Sequence, residues 1–134
     1  MPFPVDSTYI RRTEQRLGRG LPLGYVASIT KENGGVILLG DEAWFLFTVF
    51  DDSVRRRLKR TCNDLIRETA SAREWPDFPE QAVAIANNGA GDTLFFLPSP
   101  THPSRFGDTV YLWDHEASEA RPVADDFLEL RRSS

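Results

Sequence analysis

The sequence predicts an α+β fold in one domain. Apolar residues at helical spacing mark several segments, β-branched and aromatic runs lie between them, and turn residues separate those runs. The 134 residues are close to the usual size of one domain, and 40% of them are hydrophobic, so a core can form without metal or disulfide. Because no repeat, linker or low-complexity segment interrupts the chain, we expect a single domain over residues 1–134.

Four helices are predicted from apolar spacing and from residues that cap or end helices. The third is the longest, and Cys62 lies on its predicted apolar face. The predicted helices are Ser7 to Leu17 after Asp6, a short helix from Pro22 to the Asn33-Gly34-Gly35 stop, Val54 to Ala72, and a last helix that Asp125 and Asp126 cap.

Five strands are predicted from β-branched and aromatic runs that end at turn residues. The clearest hairpin turn is Asn87 to Asp92, which is rich in residues that tolerate positive φ. The predicted strands are Val36 to Leu39, Ala43 to Phe50, Ala82 to Ala86, Thr93 to Leu97 and Thr109 to Trp113.

A shared core follows from the residues that these periods place on inward faces. It is predicted to contain Tyr25, Ile29, Leu38, Phe45, Phe47, Leu58, Leu65, Ile85, Phe95, Leu112 and Phe127.

Charge is distributed unevenly along the chain. Residues 1–73 carry 12 Lys and Arg against 9 Asp and Glu, whereas residues 74–134 carry 4 against 11. An acidic half disfavours nucleic acid as a direct ligand and favours a basic partner. The basic run at Arg55-Arg56-Arg57 is interpreted as the solvated face of a helix.

No basic leader or long apolar run is visible, so we expect no membrane span and a cytoplasmic location. The single cysteine, Cys62, cannot form an internal disulfide, which fits a reducing compartment.

Catalytic and metal-binding alternatives are weak. Cys62 with His102 or His115 is a conceivable nucleophile and base, but a buried thiol would be inert. His115 lies between Asp114 and Glu116, yet neighbouring side chains on a strand point to opposite faces, so no metal site is expected. Gly89-Ala90-Gly91 precedes a strand instead of a helix, so no nucleotide or other cofactor is expected either.

Four motifs in order resemble the SUKH superfamily, which includes fungal cell-wall assembly regulators and bacterial toxin-immunity proteins. The resemblance covers roughly residues 7–130, with Gly24 and an elongated Pro-rich loop over residues 98–107 as departures. The motifs are Leu21-Pro22 with Asn33-Gly34-Gly35, Ala84-Ile85-Ala86 through Asp92 to Phe95-Phe96, Val110 to Glu116 with Trp113-Asp114-His115, and Val123 to Leu130.

The resemblance implies a twisted, largely antiparallel sheet packed by helices, and it implies that these motifs are structural. It also implies a bacterial immunity protein that binds and neutralises a cognate toxin, such as a nuclease with a basic surface. We therefore expect that this chain is no enzyme. A cytoplasmic regulator or scaffold is the alternative, and a small hydrolase using His115 is a third hypothesis. The candidate partner-binding residues are Asp92, Phe106, Asp108, Asp114 and Glu116. Phe106 is the candidate aromatic anchor, and packing of its ring back onto its own domain is the equal alternative.

Overall fold

The computed structural model describes residues 3–132, which contain five helices and one six-stranded sheet. Each strand pairs antiparallel with its neighbours in the chain, in the order β1 to β6, so the predicted α+β fold is confirmed. The strands are β1 Gly35–Leu39, β2 Glu42–Leu46, β3 Val83–Asn87, β4 Thr93–Phe96, β5 Val110–Asp114 and β6 Glu119–Ala124. The helices are α1 Ser7–Leu17, α2 Leu23–Lys31, α3 Arg55–Thr61, α4 Leu65–Ala72 and α5 Phe127–Arg132.

Aromatic side chains pack on both faces of the sheet. Alternate residues of a strand point to opposite sides, so each strand can contribute to both layers. On one face, Tyr25 of α2 packs edge-on against Phe96 of β4 and Phe127 of α5, with ring centroids 5.3 and 4.9 Å away. On the other face, Phe78 packs edge-on against Phe95 and Trp113, at 5.3 and 5.6 Å. Strand β3, buried except at its last residue Asn87, lies between these two layers of the core.

The prediction of burial is wrong for three residues of the predicted core. Leu38 and Phe45 are 45% and 49% exposed, and Leu58 is also exposed, whereas the other eight predicted core residues are buried. In the hairpin of β1 and β2 the inward side chains are Ile37 and Trp44, one position away from those predicted. A shift of one residue exchanges the two faces of a strand, so Leu38 and Phe45 lie outside.

The predicted helix from Val54 to Ala72 is two helices, α3 and α4. The break follows from Asp64, whose carboxylate accepts a hydrogen bond from the Arg67 N–H at 3.0 Å and caps α4. The N–H of Leu65 also donates to the Thr48 carbonyl at 2.8 Å, which ties the new helix start to the chain after β2. Cys62 lies at this break and is exposed, so the prediction of a buried core thiol is wrong.

Strand β6 is absent from the sequence prediction. It is the last strand of the sheet, its first four residues are exposed, and it contains Pro122. Proline is tolerated on an edge strand, where no further strand needs its missing N–H, but it removes the usual sequence signal for a strand.

The predicted turn at Asn33-Gly34-Gly35 lies between α2 and β1, with positive φ at both glycines. The buried Asn33 amide extends its role beyond a helix stop. Its Nδ2 donates to the Val49 carbonyl and its Oδ1 accepts from the Val49 N–H, both at 2.8 Å. One side chain thereby satisfies both backbone groups of a buried residue.

Candidate partner-binding surface

The five predicted partner-binding residues lie at opposite ends of the sheet. Asp92, Asp114 and Glu116 belong to the turns between β3 and β4 and between β5 and β6. Those turns and the β1–β2 turn lie at one end, which we call the turn end, because the register pairs Thr93 with Trp113. Phe106 and Asp108 belong to the loop between β4 and β5, at the opposite end, which we call the loop end.

Phe106 is not an exposed anchor. It is only 4% exposed, and its N–H donates to the Gly20 carbonyl at 2.8 Å. The Arg19 guanidinium lies 6.0 Å from the centre of its ring. The loop folds back onto the segment before α2 and buries this aromatic, which is the alternative that the sequence left open, so the structure gives no support to Phe106 as an exposed anchor.

Asp92 joins two turns of the turn end. Its Oδ1 accepts hydrogen bonds from the His115 N–H at 3.2 Å and from the His115 ring Nδ1 at 2.7 Å, and its Oδ2 accepts from Asn88 at 3.0 Å. Gly91 allows the ring this close, since a Cβ at that position would lie 3.0 Å from the imidazole. The Asp92–His115 pair is therefore a structural clasp between the turns.

The clasp shifts the pKa of both partners. The hydrogen bond to Asp92 raises the pKa of His115 above its ordinary 6.5, although burial partly opposes this. Burial opposes ionisation of Asp92, but the hydrogen bonds from His115 and Asn88 outweigh it and lower the pKa of Asp92 below 3.8. The charged pair is therefore favoured in the folded protein.

Folding stability should carry the signature of this pair. The contribution of His115 is complete below pH 6.5 and is lost as pH rises through its raised pKa. The contribution of Asp92 is complete above pH 3.8 and is lost as pH falls through its lowered pKa. We expect the urea concentration at the unfolding midpoint of the wild type to be lower at about pH 8.5 than at about pH 5.5. The substitution His115→Gln should reduce this difference between the two pH values.

His102→Gln is the matched control, because His102 is exposed and its Nδ1 contacts the Thr101 hydroxyl instead of a carboxylate. This variant should keep the pH difference of the wild type. An equal pH difference in the wild type and in His115→Gln would show that the clasp does not contribute.

The metal-ligating atoms of Asp92, Asp114 and His115 lie within 4.8 Å of one another. The side chains of Asp114 and His115 therefore do not point apart, and that prediction is wrong. His115 follows the end of β5 and lies in a turn, where strand alternation does not hold. These atoms already have partners: Asp92 bonds His115, and the Asp114 carboxylate accepts from the N–H groups of Glu116 and Ala117. Turn formation accounts for this cluster, and the absence of a metal stays a prediction.

The same geometry gives no support to the hydrolase hypothesis. Over residues 3–132 the His115 ring hydrogen-bonds to Asp92 and to no hydroxyl or thiol. It lies beside the Trp75 ring, with centroids 5.5 Å apart and the two planes tilted by 57°. A histidine held in this way fits the clasp better than a general base.

Exposed apolar side chains lie beside the acidic turns. The sequence predicts some of them to be in the core and does not indicate the others. Val36 and Phe45 are cross-strand partners on the outer face of the β1–β2 hairpin, and Leu38 shares that face. Trp75, after α4, is the other large exposed aromatic of this region. The correct hairpin register would have revealed the first three from sequence alone.

A cleft of about 190 Å³ lies next to these aromatics. Trp75 lines it, and Gly89 connects it to Phe45, whose ring would be 3.9 Å from a Cβ on Gly89. Glu68 also lines the cleft, and burial, with a further effect of the Asp64 charge, raises its pKa. A cation from a partner would favour the ionised form of this carboxyl group.

Carboxylates surround the apolar side chains. The three turn segments, residues 39–42, 87–93 and 113–119, contain six acidic residues and no Lys or Arg. We call the whole region the turn-end surface, with apolar residues Val36, Leu38, Phe45 and Trp75 and acidic residues Asp41, Glu42, Asp92, Asp114, Glu116 and Glu119.

Together, the sheet, its helix-covered faces and this surface define an α+β domain whose exposed features suit contact with another macromolecule. A protein-family model, the SMI1 / KNR4 family (SUKH-1), matches residues 4–132. The chain belongs to that family, which confirms the resemblance to the SUKH superfamily. A search of curated proteins found no match. Within residues 3–132, no helix has the length and apolar character needed to cross a membrane.

Proposed function

We propose that this member of the SMI1 / KNR4 family (SUKH-1) is a cytoplasmic toxin-immunity protein that acts by binding and not by catalysis. It binds a cognate toxin with a basic surface, such as a nuclease, and blocks it. The observation that carries the proposal is the turn-end surface, where exposed Phe45 and Trp75 lie among acidic turns.

The apolar part of the surface supports a protein partner. Aromatic side chains at the centre of an interface commonly supply most of the binding free energy. Trp75 lines the cleft and Phe45 lies next to its Gly89, and Val36 and Leu38 extend the apolar area along the hairpin. Exposed apolar groups that adjoin one another are typical of a contact surface.

The acidic part of the surface supports a basic partner. Six carboxylates without a neighbouring Lys or Arg in the same turns give a local negative potential. Such a potential raises the association rate with a positively charged protein and is screened by salt. A nuclease fits this description, because its substrate-binding cleft must attract a polyanion.

We expect the gene next to that of this chain to encode the toxin, and the apolar anchors can be tested with that protein. We expect Phe45→Ala with Trp75→Ala to weaken binding by at least about 30-fold, mainly through faster dissociation, as for loss of an interface hot spot. Surface plasmon resonance measures both rates. Val54→Ala is the matched control, because Val54 is an exposed apolar residue outside the turn-end surface and should change neither rate.

The carboxylates should act on encounter. Asp41→Asn, Glu42→Gln and Glu116→Gln together should slow association and reduce its dependence on salt, with little change in dissociation. Asp92 is left intact because its carboxylate holds the clasp. Unchanged rates in both sets of folded variants would place the interface elsewhere, and a neighbour-encoded protein that is no toxin would favour the regulator or scaffold role.

A further inference from the structure

A second groove lies at the loop end, away from the turn-end surface. It has a volume of about 730 Å³ and lies between the start of α2, the loop between β4 and β5, and the start of α5. Leu23 of α2 is 74% exposed at its edge, and Leu128 of α5 is also exposed. A groove of this size, lined by polar residues with exposed leucines among them, is large enough to hold several side chains.

The loop that forms one wall is held in place by several hydrogen bonds. The Gly20 N–H donates to the Ser104 carbonyl, and the Ser99 N–H donates to the Arg105 carbonyl, at 3.0 and 2.9 Å. The Arg105 guanidinium donates to the Leu21 carbonyl at 2.7 Å, and Phe106 is buried beneath the loop. The wall is therefore pre-formed, which lowers the entropic cost of binding.

The groove is elongated along α2. Leu128 also lines a neighbouring cavity of about 330 Å³ between α2 and α5. Gly24 contributes to this shape, since a Cβ there would lie 3.3 Å from the Leu128 side chain. Two adjoining cavities in line suit a linear segment of polypeptide better than a compact metabolite.

The charges of the groove indicate which segment fits. Asp108, Asp125 and Asp126 line it, and its one arginine, Arg105, is engaged by the Leu21 carbonyl. A cation placed among three carboxylates and beside exposed leucines is complementary in charge and in polarity. An apolar side chain next to a Lys or Arg meets both requirements.

We propose that the loop-end groove binds a short polypeptide segment of a partner protein, with an apolar side chain against Leu23 and Leu128 and a Lys or Arg towards Asp108 and Asp125. This contact is separate from the turn-end surface, because the two lie at opposite ends of the sheet. It does not depend on whether the partner is a toxin.

The test uses acetyl-Leu-Arg-Leu-amide as the probe and its citrulline analogue, which keeps the shape but lacks the charge, as the matched ligand. In a 1H–15N NMR titration of the whole chain, we expect saturable shifts at Leu23, Gly24, Asp108 and Leu128. The arginine peptide should bind about two- to fivefold more tightly than the citrulline peptide. Asp108→Asn with Asp125→Asn should remove that difference, and Glu80→Gln, at an exposed carboxyl group outside the groove, should keep it.

Three results would overturn the proposal: no saturable shifts, equal affinity for both peptides, or shifts centred on Phe45 and Trp75. The last of these would instead support the turn-end surface. A failure of the turn-end variants to alter toxin binding would leave the groove result untouched, so the two proposals can fail independently.

Discussion

Replacement of Phe95 by alanine is expected to lower the free energy of unfolding by about 3–5 kcal/mol. Phe95 is fully buried in β4, the fourth of six strands. Its ring packs edge-on against Phe78 at 5.3 Å and stacks on Tyr111 at 5.5 Å. The substitution would remove these contacts and leave a cavity in the layer beneath α4, where the surrounding side chains can relax only in part.

Urea denaturation followed by circular dichroism measures this loss. Phe45→Ala is the matched control, because it removes the same ring from a position that is 49% exposed. We expect that control to cost about 1 kcal/mol or less, as is usual for surface positions. Equal losses in the two variants would contradict the difference in burial between the two rings.

Asn33→Leu is expected to cost about 2–4 kcal/mol, because it leaves two buried backbone groups without partners. The Asn33 amide bonds both the N–H and the carbonyl of Val49, which is fully buried. Leucine has a similar volume but neither donates nor accepts a hydrogen bond. The connection from β2 to α3 should therefore open first.

Hydrogen exchange at the Val49 amide reports this effect directly, together with the urea midpoint. Asn63→Leu is the control, since Asn63 is exposed between α3 and α4 and should change little. Retained protection of Val49 in folded Asn33→Leu would show that the bridge contributes little to stability.

Local signals carried most of the fold prediction. Helix α1 matches its predicted bounds because Asp6 caps it and Gly18, at a φ of 80°, ends it. The β3–β4 hairpin is predictable because its turn is rich in Asn and Gly, and both of its glycines adopt positive φ. Such residues act through their own backbone, so sequence alone reveals them.

The features that failed depend on contacts distant in sequence. The Thr48 carbonyl accepts a hydrogen bond from the first residue of α4. This bond divides a segment whose sequence has a continuous helical pattern. The register of the β1–β2 hairpin is fixed by which face the helices cover. The continuous apolar run from Val36 to Leu39 cannot specify it, because it does not alternate between apolar and polar residues. That single shift placed Phe45 in the core and concealed the turn-end surface.

The acidic character of the candidate site was predictable and its anchor was not. Asp92, Asp114 and Glu116 do gather at one end of the sheet, since they occupy neighbouring turns. Phe106 lies in a long loop, which indicated a candidate anchor, but the loop packs back onto Gly20. Composition therefore predicted the charge, whereas only the fold shows which aromatic side chains are exposed.

The most direct test of the proposed function is a titration of the proposed cognate toxin with this chain, with the activity of the toxin as the readout. We expect activity to fall to background at one equivalent of the wild-type chain and to persist with folded Phe45→Ala/Trp75→Ala at the same concentration. Full activity in excess wild-type chain, or inhibition without a stable complex, would contradict neutralisation by binding.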